Sequence, residues 1–418
     1  MSPFSYHLYE MAHLALAPAR ALSDATRMVL KSPMNPLSNT VWGRNVAASA
    51  ELFERLTRRY GKPSFDLPET VIDGRTVEVR EEIVWEKPFC RVIRFARETS
   101  RNDSRLLIVA PLSGHYATLL RGTVQALLPH YDVYITDWSD ARMVPLHAER
   151  FDLDTYIDYL IEIMQFLSLG APGAGLHTLG VCQPAVPLIA ATALMEARQD
   201  PLAPASMVLM GGPIDTRRSP TAVNQLAQER GTNWFRRNCI HVVPFPYPGV
   251  GREVYPGFLQ LSGFMAMNLD RHVNAHVDMF NHLVQGDGDS AEKHRDFYDE
   301  YMAVMDLDAD YYMQTIETVF VRHLLPKGEM MHGNERVDLT AIRQCGLMTV
   351  EGERDDISGV GQTQAAQDLC VNIPDDRKTH YLQMSVGHYG VFNGSRYRNE
   401  IAPRIKTFID SIDERGKP

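Results

Sequence analysis

The chain is 418 residues long, 44% hydrophobic and 22% charged, which is ordinary for a globular protein of one large or two moderate domains. Its 42 basic and 52 acidic side chains give a formal net charge of −10, which argues against a nucleic-acid partner held by phosphate neutralisation. No run approaches the roughly 18 apolar residues of a membrane-crossing helix, and the first residues lack the basic flank and apolar core of a secretion signal. The five cysteines are odd in number and form no C-x-x-C pair, so free thiols in a cytoplasmic chain are expected, with no metal and no organic cofactor.

Residues 1–75 read as helical. From Tyr6 to Leu30 apolar residues recur at Leu8, Met11, Ala15, Leu22, Ala25 and Met28 or Val29, near helical spacing, with an interruption at Pro18. This stripe is expected to pack on protein, with a foreign surface as the alternative. The turn-rich SPMNPLSNT (32–40) leads to a second helix over 45–60, stopped at Gly61-Lys62-Pro63.

From residue 76 the pattern changes. TVEVREEIVWE (76–86) and CRVIRFAR (90–97) read as strands, and LLIVAP (106–111) as a buried one. A helix over 119–128, the strand YDVYITDW (131–138) and a helix over 155–169 follow. Next come the strand 176–181 with the helix after it, and MVLMGGP (207–213). Strands alternating with helices imply a mostly parallel sheet with helices on both faces. The alternation stops over 214–340, where the Pro- and aromatic-rich stretch 242–268 is too irregular in its first half for a core strand or helix. That segment reads as an inserted cap. The sheet resumes at GLMTVEGERDD (346–356) and THYLQMSVGHYG (379–390), and a last helix covers 397–412. The chain thus divides into a helical region 1–75, a first core part 76–213, a cap 214–340 and a second core part 341–418.

Within LHTLGVCQPAVPLIAATALM (176–195), an apolar strand meets a long apolar helix across Gly180-Val181-Cys182-Gln183-Pro184. The arrangement is that of a nucleophile elbow, with cysteine at the tip. Gly180 lets the turn crowd the next helix without a Cβ clash, and the helix N-terminus behind Cys182 favours an anion there. Read alone, Cys182 would be a small core residue, as a lone cysteine in an apolar segment usually is. Two further groups follow in the order of an α/β-hydrolase, however: Asp355 after the 347–351 strand and His388 after the 379–384 strand. Such sheets place their chemistry at the carboxyl ends of strands. His388 would take the thiol proton, and a carboxylate would fix its tautomer. Asp355 is preferred to Asp356 because it is closer to the strand end. The Gln183 amide and an amide of Leu112-Ser113-Gly114-His115, assigned to Ser113, would hold the oxyanion.

Candidate substrate contacts are His115 and, in the cap, Phe245, Tyr247, Tyr255 and Phe258; core packing is the competing reading of these aromatics. His177 reads as a strand residue facing its neighbours, and Cys90, Cys239, Cys345 and Cys370 as inert thiols.

LGVCQPAVP (179–187), EGERDDISGVGQT (351–363) and SVGHYGVFNGSRYR (385–398) together resemble the intracellular poly(3-hydroxybutyrate) depolymerases, over nearly the whole chain. The resemblance implies an α/β-hydrolase fold and a Cys182-Asp355-His388 triad that cleaves a polyester stored in cytoplasmic granules. The implied partner is the granule or polymer chain, and a homo-oligomer is compatible with it. The related polyhydroxyalkanoate synthases have an elbow of the form G-x-C-x-G, where this chain has Pro184. Their Asp-His-Ile-type acid motif aligns with Asp355-Asp356-Ile357 and supports the first aspartate. Three alternatives stay open: synthase-like acyl transfer from a hydroxyacyl-CoA, thiolysis of the polymer by CoA, and a non-catalytic granule coat.

Overall fold

The structure, a computed structural model, describes residues 4–169, 175–267, 269–285 and 288–416. Among these residues nine strands form one sheet. Side by side they run Glu69–Ile72, Arg75–Lys87, Cys90–Arg97, Asp132–Trp138, Arg105–Val109, Leu176–Val181, Ser206–Met210, Gly346–Gly352 and Lys378–Gln383. The first four are joined by antiparallel pairings and the remainder by parallel ones. With helices on both sides, this is the α/β-hydrolase arrangement.

The central parallel strands are short apolar runs buried along nearly their whole length, as strands covered on both faces must be, while the edge strand Lys378–Gln383 is only partly buried. The helix Ala185–Ala197 is almost wholly buried, and its alanines let it lie close to the sheet and to the helix Leu153–Leu169. The chain leaves the Arg105–Val109 strand toward one side and returns to the Leu176–Val181 strand on the other. The crevice at the carboxyl ends of these two strands is the switch point where such sheets bind ligands.

Two expectations for the N-terminal region need correction. The strand Glu69–Ile72 pairs with Arg75–Lys87 inside the span read as helical, so the sheet begins before residue 76. The helices Phe4–Ala15 and Ala17–Lys31 do form, broken at Leu16, but the stripe does not pack on protein. Leu8, Met11, Ala15, Leu22, Ala25, Met28 and Val29 are all exposed, and Tyr6 and Leu30 are the buried ends. Tyr6 donates to Asp306 of the cap at 2.6 Å, and Arg55, from the third helix Val41–Thr57, donates to Asp299 at 2.7 Å. The helical region is therefore fastened to the cap.

The cap holds the helices Ala222–Cys239, Gly257–Met267, Leu269–Gln285 and Gly288–Tyr301. It also has a three-stranded antiparallel sheet built from Leu307–Asp308, Glu253–Tyr255 and His241–Val242. It is stitched to the loops after two core strands. Met305 N donates to Gly114 O at 2.7 Å, Tyr311 Oη to Leu112 O at 2.9 Å, and the buried Arg252 to Asp308 at 2.7 Å and to the carbonyls of Val144 and Pro145.

Candidate active site

Strand register brings the predicted groups to one edge. Val109 stands beside Gly180, Val181 beside Met210, Met210 beside Val350, and Gly352 beside Gln383. Cys182 follows Val181 directly. Its φ is +67°, a left-handed conformation that a residue with a Cβ adopts at a cost of roughly 1–2 kcal/mol. The turn is held by Cys182 N donating to Met210 O at 2.7 Å and Ala185 N to Cys182 O at 3.1 Å. Small residues make room for it: a Cβ on Gly212 would lie 2.2 Å from that of Ala185, and one on Gly180 would be 3.0 Å from Leu188.

Asp355 is buried at the start of a tight loop. Its Oδ1 accepts from the amides of Ile357 and Ser358 at 2.9 and 2.8 Å, and its Oδ2 faces His388 Nδ1 at 2.8 Å. Behind it the buried Glu351 carboxylate accepts the amides of Gly361, Thr363 and Gln364, so the loop carrying the acid is clamped at both ends. Asp356 points outward and is exposed. His388 opens a short turn, with its ring edge-on to Phe392 at 5.7 Å. The carboxylate makes Nδ1 the donor, which leaves Nε2 for Cys182, the other hydrogen-bond partner of the ring. Burial opposes charge on this ring. The Asp355 carboxylate and Cys182 outweigh it and hold the imidazole well above its usual range.

Cys182, His388 and Asp355 are thus brought into one chain of contacts. Gln183 lies next to the cysteine at the helix entrance. The loop after Arg105–Val109 reaches the elbow through Leu112, whose amide faces Gln183 Oε1 at 3.4 Å. The Ser113 amide expected from the sequence is the next one along this loop.

The structure places the other candidates differently. His115 is buried, bridges Val304 and contacts Tyr301 O at 3.1 Å; burial lowers its pKa to about 4, so it is a neutral pin between loop and cap. Of the four aromatics, Phe245 alone is open, at 83% exposure. Tyr247 is bonded to Arg59 and Glu10, Tyr255 lies 4.2 Å from the ring of Tyr312, and Phe258 is stacked on Tyr9 at 4.0 Å. Tyr247 and Phe258 thus tie the cap to the N-terminal helical region, and Tyr255 packs within the cap.

A second Ser-His-Asp array lies at the opposite ends of the same strands. His177 Nδ1 is 2.8 Å from Ser206 Oγ, and His177 Nε2 is 2.9 Å from Asp413. Ser206 and His177 are wholly buried, so no substrate reaches them, and the array ties the last helix to the sheet. Among the described residues no group of three or more His, Cys, Asp or Glu could hold a metal ion. No helix there is long and apolar enough to cross a membrane.

Comparison with known proteins adds a family signal. Residues 211–413, which contain Asp355 and His388, match the family model of the PHB de-polymerase C-terminus. Over 377 residues the chain is 22% identical to the poly(3-hydroxyalkanoate) polymerase subunit PhaC of Haloferax mediterranei, covering 88% of this chain and 70% of that one. Among solved structures it is similar to a soluble variant of the Saccharomyces cerevisiae monoglyceride lipase, at 10% identity and a TM-score of 0.46, covering 82% of this chain and 97% of that one. It is also similar to a thermophilic esterase from Thermogutta terrifontis, at 12% identity and a TM-score of 0.40, covering 83% and 97%.

Proposed function

We propose that this protein hydrolyses the ester bonds of poly(3-hydroxybutyrate) or a related polyhydroxyalkanoate through a Cys182-His388-Asp355 triad. The observation that carries the reading is the unbroken line of contacts from Asp355 through His388 to a left-handed Cys182, with two of its members inside the depolymerase-like segment. His388 Nε2 takes the Cys182 proton, and the sulfur attacks the ester carbonyl carbon. The oxyanion is received by the Gln183 amide and by an amide of the Leu112–Ser113 turn. As the intermediate collapses, the C–O bond breaks and His388 returns its proton to the departing alkoxide, which leaves as a hydroxyl chain end. Water, deprotonated by His388, then attacks the thioester, releases the acid and restores the thiol.

The test is incubation with amorphous polyester granules, with and without CoA, followed by product analysis. Free 3-hydroxy acids or oligomers without CoA support hydrolysis; hydroxyacyl-CoA formed only with CoA present would mean thiolysis. The likeness to a polymerase subunit favours a second reading, acyl transfer from a hydroxyacyl-CoA onto a growing chain. Polymer growth from 3-hydroxybutyryl-CoA, with no release from granules, would replace the first reading by that one.

A further inference from the structure

The N-terminal helices present a face that nothing in the hydrolytic reading uses. Exposed from Leu8 to Trp42 are Leu14, Leu22, Met28 and Met34, with Leu22 at 70% and Met34 at 92%. Isolated exposed hydrophobics are ordinary, but a contiguous apolar face marks an interaction site. The charges of the same segment are all spoken for. Lys31 pairs with the buried Glu51 at 2.6 Å and Arg27 with Asp24 at 2.8 Å. Glu10 is bonded to Arg59, and Arg20 donates to Thr57 O at 3.0 Å. Among the exposed residues from His7 to Trp42, Lys31 is the one Lys, Arg, Asp or Glu, in a chain whose net charge is −10.

The face also continues into the block beside the elbow. The helix Phe4–Ala15 rests through Tyr6 and Tyr9 on Phe258. The helix of Phe258 carries Gln260, which fills the space a side chain on Gly114 would need, one residue from Ser113. Glu10 bonds Tyr247, two residues from the open Phe245.

We infer that this face, from Leu8 to Trp42, is the surface with which the enzyme lies on its solid polyester substrate. The inference rests on the proposed function for the choice of occupant. A polyester surface offers methyl groups and ester oxygens and no counter-ion, so the complementary protein face is apolar and carries no unpaired charge. An anionic lipid surface calls for a row of Lys and Arg beside the apolar residues, and here there is one lysine. A second copy of the chain is the remaining occupant.

The test uses the full chain with Leu14→Gln, Leu22→Gln and Trp42→Gln combined. All three side chains are exposed, so circular dichroism and thermal unfolding should match the unsubstituted protein. Binding is measured by co-sedimentation with protein-free amorphous poly(3-hydroxybutyrate) granules, and activity on a soluble 3-hydroxybutyrate trimer. The expected result is affinity for granules reduced about ten-fold or more, with trimer hydrolysis within about two-fold. Unchanged granule binding by the folded variant overturns the inference. So does a wild-type dimer that becomes monomeric in the variant while granule binding persists, which would assign the face to a second copy. Phosphatidylglycerol vesicles that bind the wild type as tightly as granules do would assign it to lipid. Granule binding lost in the variant, with no hydrolysis of either substrate by the wild type, keeps the face and removes the hydrolase reading.

Discussion

Replacing Asp355 by Asn separates the two adjacent acids by mechanism. In the native loop Oδ1 accepts two amides, from Ile357 and Ser358, and Oδ2 accepts from His388 Nδ1 at 2.8 Å. In Asp355→Asn the oxygen is claimed by the two amides, so the new NH2 group faces the imidazole. Two donors cannot share that contact. The ring answers by moving its proton to Nε2, the nitrogen that must accept the Cys182 proton. The fold keeps its two loop bonds while the base is lost. By analogy with triads in which the acid is amidated, kcat/KM should fall about 10³–10⁴-fold, or about 4–5.5 kcal/mol of barrier. Asp356 is exposed, and Asp356→Asn should stay within about two-fold. The assay is hydrolysis of a soluble 3-hydroxybutyrate oligomer by variants of matched thermal stability. A folded Asp355→Asn retaining more than about a tenth of wild-type activity, or an Asp356→Asn that is the more damaged, would refute the reasoning.

Cys182→Gly removes the proposed nucleophile and relieves the left-handed strain together, so it should be inactive yet more stable than wild type by about 1 kcal/mol in urea unfolding; a loss of stability contradicts the strain. Phe258→Ala should cost about 3 kcal/mol, because the ring is stacked on Tyr9 and edge-on to Tyr6, whereas Phe245→Ala should stay within about 0.5 kcal/mol by the same measurement. Burial and the neighbouring Asp140 raise the Asp306 carboxyl from 3.8 to about 7. The folded state therefore binds the extra proton, and this group takes stability away as pH rises from about 4 to about 7. In Asp306→Asn that decline should disappear, so denaturation at pH 5 and pH 8 should show the variant gaining on wild type at the higher pH. An unchanged difference between the two proteins would mean that Asp306 does not titrate in that window.

What could be read from the chain follows from how far each signal reaches. A nucleophile elbow is local: strand, turn and helix around Cys182 are contiguous, and the turn is visible in Gly180 and Pro184. Asp355 and His388 could be placed because each follows a strand of the parallel part of the sheet, and those strands all point the same way. The edge strand Glu69–Ile72 escaped because it is four residues long and its partner, not its composition, defines it. The apolar stripe on the first helices showed which residues share a face, but periodicity says nothing about whether protein covers that face. Tyr6 meeting Asp306 across 300 residues has no local trace at all. Which way the peptide groups at Leu112 and Ser113 turn depends on contacts from the distant cap, such as Tyr311 Oη donating to Leu112 O, and not on residue type.

The setting of the five cysteines decides how this protein answers a chemical label. Burial pushes the thiols of Cys90 and Cys345 far up, that of Cys370 to about 12 and that of Cys239 to about 11, so at neutral pH these four stay protonated and poorly nucleophilic. Cys182 is half-buried beside an imidazole. An alkylating reagent should therefore mark one position, and under the proposed function the extent of marking counts intact active sites. Under the proposed function, fluorophosphonate reagents, which label serine nucleophiles, would meet a cysteine instead, and Ser206, bonded to the buried His177, is sealed inside the sheet. On that reading, a survey of esterases by such reagents would pass this protein by.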